Sequence, residues 1–154
     1  MLIHNKKISG PAIETVVIPR RDGDIVFKAQ AVLKYEDFDL LCPRPTPPIK
    51  LLPSGEKSAD VVDTKYKTAL DTWASNKTLY MILTSLSVTE GLKWETVDMS
   101  KPDTWKNYEK ELKDSGFSEA EIARIFRIVI EANGLDQTKI DLATERFLAG
   151  QQAQ

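Results

Sequence analysis

Two short stretches near the C-terminus of this chain share one grammar. Gly116-Phe117-Ser118 and Gly134-Leu135-Asp136 each run glycine, one apolar residue, then a helix N-cap. In each, the glycine supplies the left-handed residue that ends one helix. The apolar residue then packs back on that helix, Phe117 on Leu112 and Leu135 on Ile130. It also staples forward, Phe117 to Ile122 and Leu135 to Ile140. Ser118 followed by Glu121 adds a capping box. Three helices joined in this way leave few arrangements open to the last third of the chain.

Those helices read as Ser100–Gly116, Glu119–Asn133 and Gln137–Ala149. In the first, Ser100 is the N-cap, Pro102 lies in the opening turn, and Trp105, Tyr108 and Leu112 line one face. In the second, Ile122, Ile125, Phe126 and Val129 form a stripe with Ile128 and Ile130 beside it. The third shows Ile140, Ala143, Phe147 and Leu148 as its packing residues, and Gly150 ends it. A longer helix covers about Ala59 to Val88, with Val62, Tyr66, Ala69 and Trp73 at helical spacing and Asp63–Lys67 as an exposed pair. Its second half is densely apolar from Leu79 onward.

The N-terminal part has a different period. Ile25, Phe27, Ala29, Ala31 and Leu33 alternate with Val26, Lys28, Gln30, Val32 and Lys34, and Ile13–Ile18 is rich in β-branched residues. Pro19–Asp24, with Asp22-Gly23, is the turn between two strands. Residues 36–41 suit one short helical turn. Five prolines between Pro43 and Pro53, followed by Ser54–Ser58, favour an extended path that is neither helix nor central strand. The expected fold is therefore α+β, mostly α: a β-hairpin arm (1–42), a Pro-rich linker (43–58), a helical domain (59–150) closing as a four-helix bundle, and a frayed tail (151–154).

Composition narrows the function. The chain has 154 residues, 42% hydrophobic and 29% charged, with net charge -2. This mild acidity does not suit a nucleic-acid or anionic-membrane surface. Trp105–Val129 resembles a helix-turn-helix in outline, but Glu119, Glu121 and Glu131 make its second helix slightly acidic, where phosphates demand bases. No apolar run approaches the roughly 20 residues that cross a bilayer. The first residues lack a signal-peptide core, so export is not expected.

Catalytic equipment is sparse. His4 is the single histidine and Cys42 the single cysteine, too few to close a cysteine–histidine metal site. Cys42 has no visible base to activate it and reads as a small apolar residue. Carboxylates fall in surface pairs such as Glu109–Lys113 and Glu121–Arg124. No catalytic residue, metal or cofactor is expected. The candidate interaction residues are Tyr80, Met81 and Leu83 in the dense helix, with Ile49, Leu51 and Leu52 as anchors in the linker. For Tyr80–Leu83 the competing reading is simply core.

Several stretches together resemble small proteins encoded among phage tail genes. They are Phe27–Leu33, Phe38, Leu41–Pro48, Tyr80–Leu86, Leu92–Val97 and the helical tail from Trp105 through Phe147. Jointly they resemble a tail assembly chaperone of a long-tailed phage. The resemblance implies a non-enzymatic protein in the host cytoplasm, not retained in the mature virion. Such chaperones coat the helical tape measure protein, keep it soluble, yield to tail tube subunits, and often self-associate. Two other readings stand beside it: a virion component such as a head–tail connector or minor tail protein, with the Val16–Phe27 hairpin as intersubunit strand donor, and a small regulatory binding protein.

Overall fold

The structure, a computed structural model, describes residues 1–152. It is α+β with helix predominating. In chain order the elements are β1 (Leu2–Ile3), β2 (Lys6–Lys7), β3 (Ile13–Ile18), β4 (Ile25–Gln30), α1 (Glu36–Leu41), β5 (Ile49–Leu51), β6 (Lys57–Ala59), α2 (Thr64–Leu86), α3 (Asn107–Asp114), α4 (Glu119–Ala132) and α5 (Gln137–Gln152). The strands form three separate antiparallel hairpins. Contacts divide the chain into two compact units that interleave along the sequence. The first comprises Met1–Leu33, Thr84–Lys93 and the described residues from Leu112 onward; the second comprises Lys34–Leu83 and Trp94–Glu111.

In the first unit, β3 and β4 pair from Ile13↔Gln30 to Ile18↔Ile25. Alternation sends Val16, Ile18, Phe27 and Ala29 to a buried face and leaves Ile13, Val17 and Val26 exposed. Helix α4 packs on both strands through Ile122, Ile125, Ile128, Val129 and Ala132, all buried. Phe126 is half-buried and Ile130 exposed. Each large side chain removed from water here contributes about 1.5–3 kcal/mol, which gives the two-stranded sheet the support it lacks alone.

Polar side chains hold this core in register. Thr89 Oγ1 accepts the Lys28 N–H at 3.0 Å and donates to the Lys28 carbonyl at 2.9 Å. Asn133 ends α4 with three bonds: Oδ1 accepts the Val32 N–H at 2.9 Å, and Nδ2 donates to Ser85 Oγ at 2.9 Å and to the Val129 carbonyl at 2.8 Å. Ser85, fully buried, is thereby satisfied.

Both glycine junctions are complete Schellman turns. At the first, Phe117 N–H donates to the Leu112 carbonyl and Gly116 N–H to that of Lys113; at the second, Leu135 N–H donates to Ile130 and Gly134 N–H to Glu131. Gly116 and Gly134 have φ of +88° and +68°, the region that disfavours a Cβ. The capping box at Ser118 and Glu121 is present, and Asp136 Oδ1 caps α5 by accepting the Lys139 N–H at 3.1 Å. Helix α5 nevertheless buries no residue, so it contributes nothing to a bundle core.

The second unit is built on aromatic rings. Phe38 packs against Tyr80, Trp73 and Trp105 with centroids 5.5, 6.1 and 6.3 Å away, and Tyr80 meets Trp105 at 5.6 Å. Short α1, expected from residues 36–41, exists to deliver Phe38.

Elsewhere in this unit the local structure departs from the expected plan. The stretch expected as linker contains the β5–β6 hairpin, paired from Ile49↔Ala59 to Leu51↔Lys57. Its turn has Pro53 at the second position, and Gly55, at φ +84°, donates to the Leu52 carbonyl at 2.9 Å. Proline presets the turn and glycine takes the left-handed residue after it. Because β6 occupies residues 57–59, α2 starts at Thr64 instead of Ala59. Asp63 is its N-cap, accepting the Tyr66 N–H at 2.9 Å, and is not the surface partner of Lys67.

The helix expected from Ser100 is broken into a 3-10 turn, Pro102–Thr104, and α3. Ser100 does not cap it. Its hydroxyl donates to Asp98 Oδ1 at 2.7 Å, and Thr104 Oγ1 instead accepts the Asp98 N–H at 2.9 Å while donating to the Lys101 carbonyl at 2.8 Å. Two further differences lie outside this unit, at the chain termini. Leu2–Ile3 and Lys6–Lys7 form a small hairpin turning at His4-Asn5, both with positive φ. Helix α5 continues through Gly150 to Gln152; the rest of the expected tail, residues 153–154, lies outside the described residues.

Candidate interaction surfaces

Three surfaces of distinct make-up emerge from these two units. The first is the face of β5. Ile49 and Leu51, two apart, share one side of the strand and are 72% and 71% exposed, whereas Lys50 between them reaches Asp60 at 3.7 Å. Period-two alternation puts the two apolar side chains on one face and Lys50 on the other, and all three residues are exposed. Leu52 is half-buried at the turn. Of the other sequence candidates, Tyr80 and Leu83 are buried and Met81 half-buried. Tyr80 belongs to the ring cluster around Phe38. Tyr80 and Leu83 are thus core residues, whereas β5 keeps its apolar pair exposed.

The second surface is the groove where the Pro-rich segment meets α2. Trp73 Nε1 donates to the Cys42 carbonyl at 3.1 Å, and the Arg44 guanidinium lies 5.2 Å from the Trp73 ring. Lys77 Nζ is 5.2 Å from the same ring and 5.1 Å from that of Tyr35. The segment is therefore tied to the indole by the Cys42 hydrogen bond and the Arg44 cation–π contact, while Lys77, on α2 itself, flanks the same ring. Beside it an open cavity of about 370 Å³ is lined by Leu41, Pro43, Pro45, Trp73, Asn76 and Asp103 among others. Burial pushes the Cys42 thiol up, against a lowering hydrogen bond from Asn76. A raised thiol is a poor nucleophile.

The third surface is α5. Phe147, Leu142, Leu148 and Ile140 are 63%, 54%, 49% and 43% exposed, and Leu135 before them 60%. Lys139 ties it to the rest of the first unit, its Nζ lying 3.3 Å from Glu14 and 3.6 Å from Glu131. The hydrogen bond to Glu14, then the charges of Glu14 and Glu131, raise the Lys139 pKa. Reading Ile140, Ala143, Phe147 and Leu148 as packing residues missed this surface. The signal was available: Leu142 lies opposite that stripe, so the helix has no single apolar face of core width.

Each edge of the β3–β4 hairpin is plugged at one residue by a side chain. Thr89 takes both backbone groups of Lys28 on β4, and Arg124 Nη2 donates to the Val17 carbonyl on β3 at 3.0 Å. Such plugs oppose strand addition. His4 is exposed. Among the described residues no cluster of three His, Cys, Asp or Glu side chains is arranged to hold a metal ion, and no helix is long and apolar enough to cross a membrane. No protein-family model, curated protein or solved structure matches this chain.

Proposed function

We propose that this chain works by binding, as a tail assembly chaperone of a long-tailed phage that holds helical tape measure segments soluble until tail tube subunits replace it. The observation that carries the reading is the outward pair Ile49 and Leu51, more than two-thirds exposed on a formed hairpin. Exposed apolar residues on an ordered element suit a protein ligand. The hairpin directly follows Leu41–Pro48, one of the stretches that carry the resemblance. On this reading the protein is not an enzyme, acts in the host cytoplasm and leaves before the virion matures, and the helices α2–α4 are its scaffold.

The strand-donor reading of a virion component draws less support, because side chains already occupy the edge groups of Lys28 and Val17. Co-expression with the large helical protein encoded just downstream tests the proposal. The wild-type chain should keep that protein soluble and co-purify with it, and Ile49→Asp with Leu51→Asp should abolish both effects while the folded chain itself stays soluble. An insoluble client with nothing co-purifying would overturn the reading, as would finding the chain at fixed copy number in purified virions.

A further inference from the structure

The face of the β5–β6 hairpin that holds Ile49 and Leu51 also carries a charge, and the register places it. Cross-strand partners share a face, so Ile49↔Ala59 and Leu51↔Lys57 put four side chains on one side. All four residues are exposed. Alternation sends Leu52, Ser58 and Asp60 to the other side, where each is half-buried. The acids of the hairpin, Glu56 and Asp60, both belong to that second side, and Asp60 is paired there with Lys50. Lys57 has no ionic partner among the described residues. The outer face is therefore three apolar side chains and one uncompensated cation.

Backbone hydrogen bonds decide what kind of segment fits this face. Leu52 N–H donates to the Glu56 carbonyl at 2.8 Å and Asp60 N–H to the Pro48 carbonyl at 2.7 Å. This register turns Lys50 toward β6 and leaves the N–H and C=O groups of Ile49 and Leu51 at the free edge. The next residues of the same parity are Pro47 and Pro53, which have no N–H. Two residues between prolines make too short an edge for strand addition, so a partner meets the side chains instead. Ile49 and Leu51 lie about 6.7 Å apart along the strand, close to the roughly 6 Å between residues i and i+4 of a helix. We infer that the client segment is an acidic amphipathic helix: apolar residues at i and i+4 cover Ile49 and Leu51, and a carboxylate beside them pairs with Lys57. This rests on the reading of the hairpin as the client site, and adds the charge that its client must carry.

Titration of the full chain with two synthetic helical peptides tests it. Both present leucines at i and i+4 on an alanine frame; the flanking residues are glutamate in one peptide and lysine in the other. At low salt the wild type should bind the glutamate peptide about two- to fivefold more tightly, the range of an exposed ion pair. That preference should fade as salt rises. Lys57→Glu should reverse it with an unchanged melting temperature, because Lys57 is exposed. In co-expression the same variant should weaken capture of the downstream helical client, which Ile49→Asp with Leu51→Asp abolishes. Equal affinity for the two peptides, a preference that survives Lys57→Glu, or no binding of either peptide would overturn the inference. So would ladder-like protection of the Ile49 and Leu51 amides in the complex, which marks a strand at the edge. A client captured through Ile49 and Leu51 yet indifferent to Lys57→Glu sinks this inference alone; a client never captured sinks the reading beneath it as well.

Discussion

The two glycine junctions are spelled alike and hydrogen-bonded alike, yet they lead to opposite environments. Gly116-Phe117-Ser118 feeds α4, whose stripe is the core of the first unit. Phe117 meets the Phe27 ring edge-on at 5.6 Å, with the Arg20 guanidinium 5.2 Å from its own ring. Gly134-Leu135-Asp136 feeds α5, which buries nothing, and Leu135 stands 60% exposed. A turn motif determines where a helix stops and where the next begins. Whether the next helix is buried depends on its own apolar stripe: α4 gathers five buried residues on one face, whereas α5 sets Leu142 on the side opposite Ile140 and Phe147.

The largest expected contrast lies in the apolar residue of each junction. Phe117→Ala should cost about 2 kcal/mol, below the roughly 3–5 kcal/mol of a fully buried ring because Phe117 is half-buried. Leu135→Ala should stay within about 0.5 kcal/mol, as exposed substitutions do. Urea unfolding measures both, and equal losses would mean that Leu135 has a packing partner after all. The glycines come next. Either Gly→Ala change forces a Cβ into left-handed backbone at roughly 1–2 kcal/mol. At Gly116 that loss should appear in global unfolding. At Gly134 it should leave the global transition in place and appear as faster amide exchange confined to α5. The caps should repeat this pattern at smaller scale: Ser118→Ala should lower global stability by about 1 kcal/mol, while Asp136→Ala should reduce only the helicity of α5.

Much of this was legible in the sequence, for identifiable reasons. The junctions, the α4 stripe and the β3–β4 hairpin are set by local signals (left-handed glycine, capping box, period-two alternation) that act over a few residues. What was not legible depends on partners far along the chain. Tyr80 and Leu83 were open to a surface as well as a core reading until Phe38 on α1 packed against Tyr80. Thr89 and Asn133 hold the β-hairpin through side-chain bonds spanning 61 and 101 residues, and no local pattern announces such pairs. The β5–β6 hairpin is a different case. Its Pro53-Ser54-Gly55 turn was written plainly, but the surrounding prolines argued for an extended tether.

The smallest contrast separates the electrostatics of the two junctions and is read by pH. Glu121 does two jobs at the first: it accepts the Ser118 N–H at 3.0 Å and takes a bidentate Arg20 contact at 2.7 and 2.9 Å. The Arg20 hydrogen bond, followed by that of Ser118, holds the Glu121 carboxyl down to about 2. An unfolded glutamate titrates near roughly 4.3, so the folded value is the lower one. The unfolded chain then takes up this proton first as pH falls. The stabilisation is complete above the unfolded value, declines as pH drops through the window between the two, and is gone below about 2. Glu121→Gln should therefore lower the melting temperature at pH 7 and flatten its dependence across that window. Added salt should shrink the wild-type advantage, because both side chains reach solvent. Asp136→Asn, at the second junction, should leave the acid dependence of global unfolding as it was, since nothing in the core depends on α5. If instead both variants flatten the curve alike, α5 belongs to the cooperative unit and the contrast between the two junctions fails.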